Sequence, residues 1–166
     1  MKSIYTRRSI RKYKDIDVDD SIVREIIKAG MNAPSAGDEQ PWHFIIVNEH
    51  DKLVKINEAH PHSKMLLHAK TAIVICGDLS LEKYDGFWVQ DCAAAVQNML
   101  LMIDYKGLGS VWLGVYPRKD RIDGIRKIFN LPENVIPFAV LPVGYPDETK
   151  PENNKFVESK IHVNIW

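Results

Sequence analysis

The sequence has no excess charge of either sign: 22 basic and 22 acidic side chains cancel across 166 residues. Without a global field, nothing draws the chain to nucleic acid or to an anionic membrane, so any anion it binds must be held by a local cluster. Cysteine is scarce, with only Cys76 and Cys92, each inside an apolar stretch. Their spacing fits no zinc or redox motif, and two buried free thiols in a reducing compartment are expected. Long apolar runs are missing as well. The most apolar stretch, 86–106, carries Gln90, Asp91, Gln97, Asn98 and Asp104, which excludes a membrane span. The leading MKSIYTRRSIRKYK lacks the apolar core of a secretory signal, so a cytoplasmic location is expected. With no internal repeat and no low-complexity tract, one domain over 1–166 is expected, long enough to bury about 68–70% of its unfolded surface.

Several chemical signatures are also lacking. GLGSVWLG at 107–114 is no dinucleotide fingerprint: Trp112 stands where the third glycine would fall, and the order is helix to strand. There is no GxxxxGK[ST] phosphate loop and no GxSxG nucleophile elbow. Of six histidines, His60, His62 and His68 are close in sequence, but no cysteine or carboxylate spacing completes a metal site, and they are read as non-ligands.

What is present reads as helices alternating with strands. Ile22, Val23, Ile26, Ile27 and Met31 mark one face of a helix over 20–31, capped by Asp19 or Asp20 and ended by Gly30 and Pro34. A strand is expected over 43–48, then a short helix near 51–58. The continuous apolar run 71–77 reads as a strand buried on both faces. The longest helix is expected over 85–106, with Gly107 as its stop. A strand over 110–116, a helix over 120–129 and a final strand over 135–145 follow. Pro137 and Pro142 in that last strand suggest an edge position or a bend. The tail, 150–166, spaces Ile161, Val163 and Ile165 by two, so its apolar residues are expected to bury on a partner subunit or back on their own domain. Together these elements imply an α+β or α/β sandwich around one sheet.

Three groups of residues have chemical potential. Arg7, Arg8, Arg11, Lys12 and Lys14 put five basic side chains within eight residues, with Ser9 among them. Guanidinium forks and a hydroxyl suit a phosphate dianion, although a solvated basic segment or a nucleic-acid patch has the same composition. The loop APSAGDEQPW (33–42) is stiffened by two prolines and freed at Gly37. Its Ser35, Asp38 and Gln40 suit the edge of a planar heterocycle, or simply a tight connection. On the long helix, Gln90, Gln97 and Asp104, and likewise Asp91 and Asn98, recur every seven residues and share a face. That stripe either lines a pocket or meets water.

These segments, in order, resemble the nitroreductase family of FMN-dependent oxidoreductases. The matching stretches are RRSIRKY (7–13), APSAGDEQPWHFIIV (33–47), DCAAAVQNMLL (91–101), GLGSVWLGVYP (107–117), PVGYP (142–146) and ESKIHVNIW (158–166). The resemblance implies an α+β sandwich with a central mixed sheet flanked by helices, and a C-terminal tail extending onto the partner of a homodimer. It implies that Arg7 and Ser9 bind the FMN phosphate. Arg8 would lie beside the ribityl chain or pyrimidine edge, partly through its backbone, and Arg11 near the N1–O2 edge, where reduced flavin collects negative charge. Pro34, Ser35, Ala36 and Asp38 would approach from the other subunit, Leu113 and Gly114 would contact the ring with a backbone N–H at N5, and Lys155 would sit near the phosphate. Two positions depart from the family pattern: Asp38 replaces a common Asn and cannot donate unless protonated, and Lys155 replaces a common Arg and loses the bidentate contact. The implied reaction is ping-pong transfer from NAD(P)H to a nitroaromatic, quinone or similar acceptor, with no catalytic side chain. Alternatives are a non-catalytic FMN-binding or regulatory protein and another reductive flavin activity of the same superfamily. Neither a nucleic-acid nor a membrane partner is expected.

Overall fold

The computed structural model describes residues 2–166. After a short turn of helix, α1 (Ser3–Thr6), come α2 (Asp20–Met31), β1 (Trp42–Val47), α3 (His50–Ala59), β2 (Thr71–Asp78) and α4 (Trp88–Tyr105). The chain continues through β3 (Gly109–Ser110), β4 (Leu113–Gly114), α5 (Lys119–Phe129) and β5 (Val135–Gly144). Helix α2 spans the expected residues because each end has a local cause. The Asp19 carboxylate accepts from Ser21 N–H at the start, and β-branched and aliphatic residues bury one face. At the far end of α4, Gly107 adopts φ +73°, and Gly107 N–H and Leu108 N–H return to the carbonyls of Asp104 and Ile103.

The sheet runs β1–β2–β5–β3, with β4 also on β5. Every strand ladder is antiparallel, and the parallel part of the expected mixed sheet is a single bridge, Ser9 to Ser110. Both faces are covered, which explains why β2 and β5 lack the polar alternation of a half-exposed strand. Ile73, Ile75, Leu141 and Val143 pack under α2 and α4, while Ala72, Val74, Cys76 and Val140 face the α3–α5 side. Both cysteines are free and buried, and burial pushes the Cys76 thiol up to about 12, so it stays protonated.

Strand β5 is not an edge strand; it lies between β2 and the β3/β4 fragments. Its prolines sit where pairing is irregular. Pro137 opposes Cys76 and Ala139 opposes Ile75, leaving Phe138 as the extra residue of a bulge. Pro142 lies opposite the interruption between β3 and β4, which is also why the strand expected over 110–116 is two fragments. The bulge turns Phe138 and Ala139 to the same face, where Phe138 meets Trp88 and Trp112 edge-on at 6.1 and 5.7 Å.

Gly77 shows how tightly α4 seats on the sheet. A Cβ there would stand 2.3 Å from Trp88 Cε3. Gly77→Ala is expected to destabilise the protein by about 1–3 kcal/mol through overpacking, measurable by urea unfolding; a loss below experimental error would contradict this packing.

Candidate functional site

The basic segment 7–14 is held in place by the chain that follows β5. Lys14 N–H donates to Tyr145 O, Asp147 N–H to Lys12 O, and Arg11 N–H to Glu148 Oε1 at 2.5 Å. Lys150 Nζ donates to Ser9 O at 2.7 Å. The Arg11 N–H, together with Lys150, outweighs burial and holds the Glu148 carboxyl below its ordinary value. Ile10 and Tyr13 go into the core as anchors, and Arg7, Ser9, Arg11 and Lys12 stay toward the surface.

The individual basic side chains do different things. The Arg8 guanidinium is taken up by three carbonyls: Pro151 from Nε at 2.8 Å, and Tyr5 and Arg7 from Nη1 at 2.9 and 2.8 Å. Its Nη2 is buried without a protein partner. Arg7 lines a narrow crevice with Ser110, whose buried hydroxyl is also unpartnered, and Asp104. Lys155 lies in the exposed tail.

Arg11 instead enters a concave site on the α3–α5 side. That pocket, about 720 Å³, is lined by Arg11, His60, His62, Lys64 and Arg121 together with Trp112, Leu113 and Gly114. No carboxylate lines it, so three permanent cations face one volume. Gly114 is placed at its rim by strand register. Val115 N–H donates to Phe138 O, and β4 pairs Leu113 with Val140 and Gly114 with Ala139. Antiparallel pairs bond alternately, so Gly114 turns its N–H and C=O away from β5, toward the open edge. A Cβ at Gly114 would meet nothing within 4 Å.

The 33–42 loop lies elsewhere, at the start of α4 on the other side of the sheet. Gly37, Asp38 and Gln40 all have φ between +47° and +55°. Ser35 Oγ accepts from Gln40 N–H, and Gln40 Nε2 donates to Asp38 Oδ1 at 2.7 Å. Pro34, Ser35, Ala36 and Asp38 do not line the pocket that holds Arg11, Leu113 and Gly114 in the same chain.

The loop is fastened by two acids. Asp91 Oδ1 accepts from Ala36 N–H at 3.0 Å, and Glu39 Oε2 accepts from Lys83 and Tyr84 N–H. The remaining oxygens, Glu39 Oε1 and Asp91 Oδ2, are buried without a donor from elsewhere in the chain, an arrangement that favours one proton between the two acids. Burial, then the hydrogen bond that protonated Asp91 donates to Glu39, raises Asp91 to about 6. Burial also works to raise Glu39, but the Lys83 N–H, the Asp91 proton and the Tyr84 N–H hold it below its ordinary value. The polar stripe of α4 therefore divides between packing contacts, crevice walls and water. Asp91 ties the helix to the loop, Asn98 Nδ2 donates to Ala29 O of α2, and Gln90 and Gln97 are exposed.

Because its pKa is raised in the fold, the stabilisation from protonated Asp91 is complete below its ordinary value of 3.8 and is lost as pH rises through about 6. Glu39, depressed, loses its contribution only as pH falls through its own lowered value. Asp91→Asn keeps an acceptor for Ala36 and gives Glu39 a permanent donor. Its stability advantage over the parent protein is expected to grow from about pH 4 to pH 6 and level at about 1–3 kcal/mol, read by urea unfolding across that range. A difference independent of pH would refute the shared proton.

Three features of this site were missed in the sequence: His60, Arg121 and the Glu39–Asp91 pair. All are assembled by tertiary contacts, and no spacing signals them. Among the described residues no group of three or more His, Cys, Asp or Glu is placed to hold a metal ion, and no helix is long and apolar enough to cross a membrane.

Fold and site together define an α+β sandwich with a cationic, carboxylate-free pocket beside an open strand edge. The sequence profile of the nitroreductase family matches residues 4–70 and 54–145. A protein of Methanothermobacter thermautotrophicus, provisionally named NADH dehydrogenase/NAD(P)H nitroreductase, is 51% identical over 166 residues, covering 100% of this chain and 87% of its own. A crystal structure of a Parabacteroides distasonis protein with the same provisional name is 43% identical, with a TM-score of 0.96 over 99% of this chain and 97% of that one. An FMN-dependent nitroreductase of Clostridium difficile is 31% identical, with a TM-score of 0.90 over 96% of each chain. The chain belongs to the nitroreductase family of oxidoreductases.

Proposed function

We propose that this chain is an FMN-dependent oxidoreductase that passes electrons from NAD(P)H to a nitroaromatic, quinone or similar organic acceptor, acting as a homodimer with FMN sites shared between subunits. The observation that carries the reading is the pocket of Arg11, Lys64 and Arg121, free of carboxylates and bordered by the outward-facing Gly114. A planar ligand that becomes anionic on reduction suits that wall. The orphaned Arg8 Nη2 and Ser110 Oγ are further unused donors near the basic segment.

In this reading Arg7 and Ser9 hold the phosphate, and Lys155 adds charge there once the tail is ordered on a partner. Arg8, its side chain engaged with carbonyls, contributes through its backbone. Arg11 stabilises negative charge at the N1–O2 edge. Leu113 packs on the ring, and Gly114 presents its N–H to N5. Pro34, Ser35, Ala36 and Asp38 complete the site from the partner subunit, which accounts for their separation from the pocket within one chain. When bound, FMN supplies the redox chemistry. The protein's part is to bind, orient and shield, and no side chain acts as a general acid or base. Donor and acceptor occupy the same face in turn, the basis of a ping-pong sequence.

The test is the flavin itself. The purified protein, reconstituted if necessary, is expected to be yellow and to release FMN, rather than FAD, on denaturation. A colourless protein that FMN cannot reconstitute rejects the proposal.

A further inference from the structure

Two side chains that the sequence reading left without a role meet at one atom. His60, at the end of α3, places Nε2 2.9 Å from Gly114 O, and Arg121 of α5 places Nη1 2.7 Å from the same oxygen. A carbonyl oxygen has two lone pairs, so these two donors saturate it. The other ring nitrogen, Nδ1, accepts from His62 N–H at 3.3 Å, which leaves the ring proton on Nε2 as the donor. Burial lowers the His60 pKa, and the Arg121 and His62 charges lower it further, although the Gly114 bond opposes them. The ring therefore stays neutral beside the guanidinium. Arg121 has no carboxylate partner among the described ion pairs.

The contact has a directional consequence. Gly114 lies at the end of a strand of two residues, bonded on one side only, and glycine is the most pliable residue the backbone can hold. Its N–H and C=O both point to the open edge. The same peptide is tied to β5 through Val115 N–H and Phe138 O, so the two donors hold its oxygen from the opposite side and complete its anchorage. We propose that His60 and Arg121 are positioning residues: by fixing the Gly114 carbonyl they aim the Gly114 N–H into the pocket. This rests on the FMN reading for what the N–H meets, but the clasp itself is a property of the chain alone.

The experiment compares wild type, His60→Ala, His60→Gln and Arg121→Ala. The first readout is the carbonyl carbon signal of Gly114 in protein labelled at glycine, assigned through Gly114→Ala. It needs no turnover. The second is anaerobic rapid-mixing reduction of the FMN holoenzyme by whichever nicotinamide reduces the wild type. Both alanine variants are expected to shift the Gly114 carbonyl signal and to lower the limiting rate of flavin reduction about tenfold, with nicotinamide binding within twofold. His60→Gln, whose amide can donate to the same oxygen, is expected to recover most of the rate and of the signal. An unmoved carbonyl signal in both alanine variants overturns the clasp. A moved signal with an unchanged reduction rate overturns its role in aiming the N–H. Should His60→Ala fail to fold, Arg121→Ala, on the half-buried face of α5, decides both points. A wild type that holds no FMN defeats the flavin reading, and the carbonyl signal then still judges the clasp.

Discussion

Arg11→Ala is expected to weaken FMN binding about 10- to 100-fold and to make reduction of the bound flavin less favourable. A hydrogen bond to a charged group contributes about 1.5–3 kcal/mol, and 1.4 kcal/mol is tenfold in affinity. Arg11 is well suited to the test because its two functions are separable. Its N–H donates to Glu148 and helps hold the basic segment, and alanine keeps that bond. Its side chain is exposed and faces the pocket, so its removal leaves the core intact. The wild-type affinity is also expected to fall more steeply with salt than that of the variant, since one charge contact is lost. Fluorescence titration of the apoprotein with FMN measures the first effect, and spectroelectrochemistry the second. Unchanged affinity together with unchanged reduction potential would remove Arg11 from the site.

Deletion of 157–166 is expected to convert a dimer into a monomer and to abolish stoichiometric FMN binding. The tail runs off its own domain: Val163, Ile165 and Trp166 are 76%, 81% and 99% exposed, and Ile161 and Val157 are exposed with them. Of the two expectations for this segment, packing back on its own domain is not what the fold shows. An unburied row of aliphatic and aromatic side chains marks a contact surface, and burying each such side chain contributes about 1.5–3 kcal/mol. A second apolar groove between α2 and α4, lined by Ile4, Ala29, Leu101, Met102 and Tyr105 among others, offers further surface of the same kind. Under the shared-site proposal, loss of the partner also removes Pro34 to Asp38 from the flavin. Light scattering after size exclusion, with flavin absorbance on the same peak, reads both effects. A full-length monomer carrying one FMN would refute the shared site.

The sequence was most informative where local chemistry decides the outcome. Helix α2 could be placed from Asp19, Gly30 and the apolar period, and β2 from an apolar run without polar alternation. Of its two readings of the β5 prolines, an edge or a bend, the edge is excluded and the bend fits the bulge. A bulge at Phe138 and a gap between β3 and β4 allow Pro137 and Pro142 inside the sheet. The candidate site divides in the same way. Arg11 was read in the basic segment and Leu113 and Gly114 in a separate stretch, joined only by what the family resemblance implies, and all three line one pocket. His60 and Arg121 are 61 positions apart and meet only because α3 and α5 pack on the same face. The Glu39–Asp91 pair likewise depends on the loop folding over the start of α4. Single-sequence periodicity placed Asp91 in a polar stripe but carried no sign of its partner.

The most direct measurement of the account is an anaerobic titration of the FMN-loaded protein with NADH and with NADPH, followed by addition of a quinone or nitroaromatic acceptor. The expected result is full bleaching of the flavin by one equivalent of at least one nicotinamide, and return of the yellow spectrum on adding acceptor. A flavin that stays oxidised with both nicotinamides, in protein that binds FMN stoichiometrically, would contradict it.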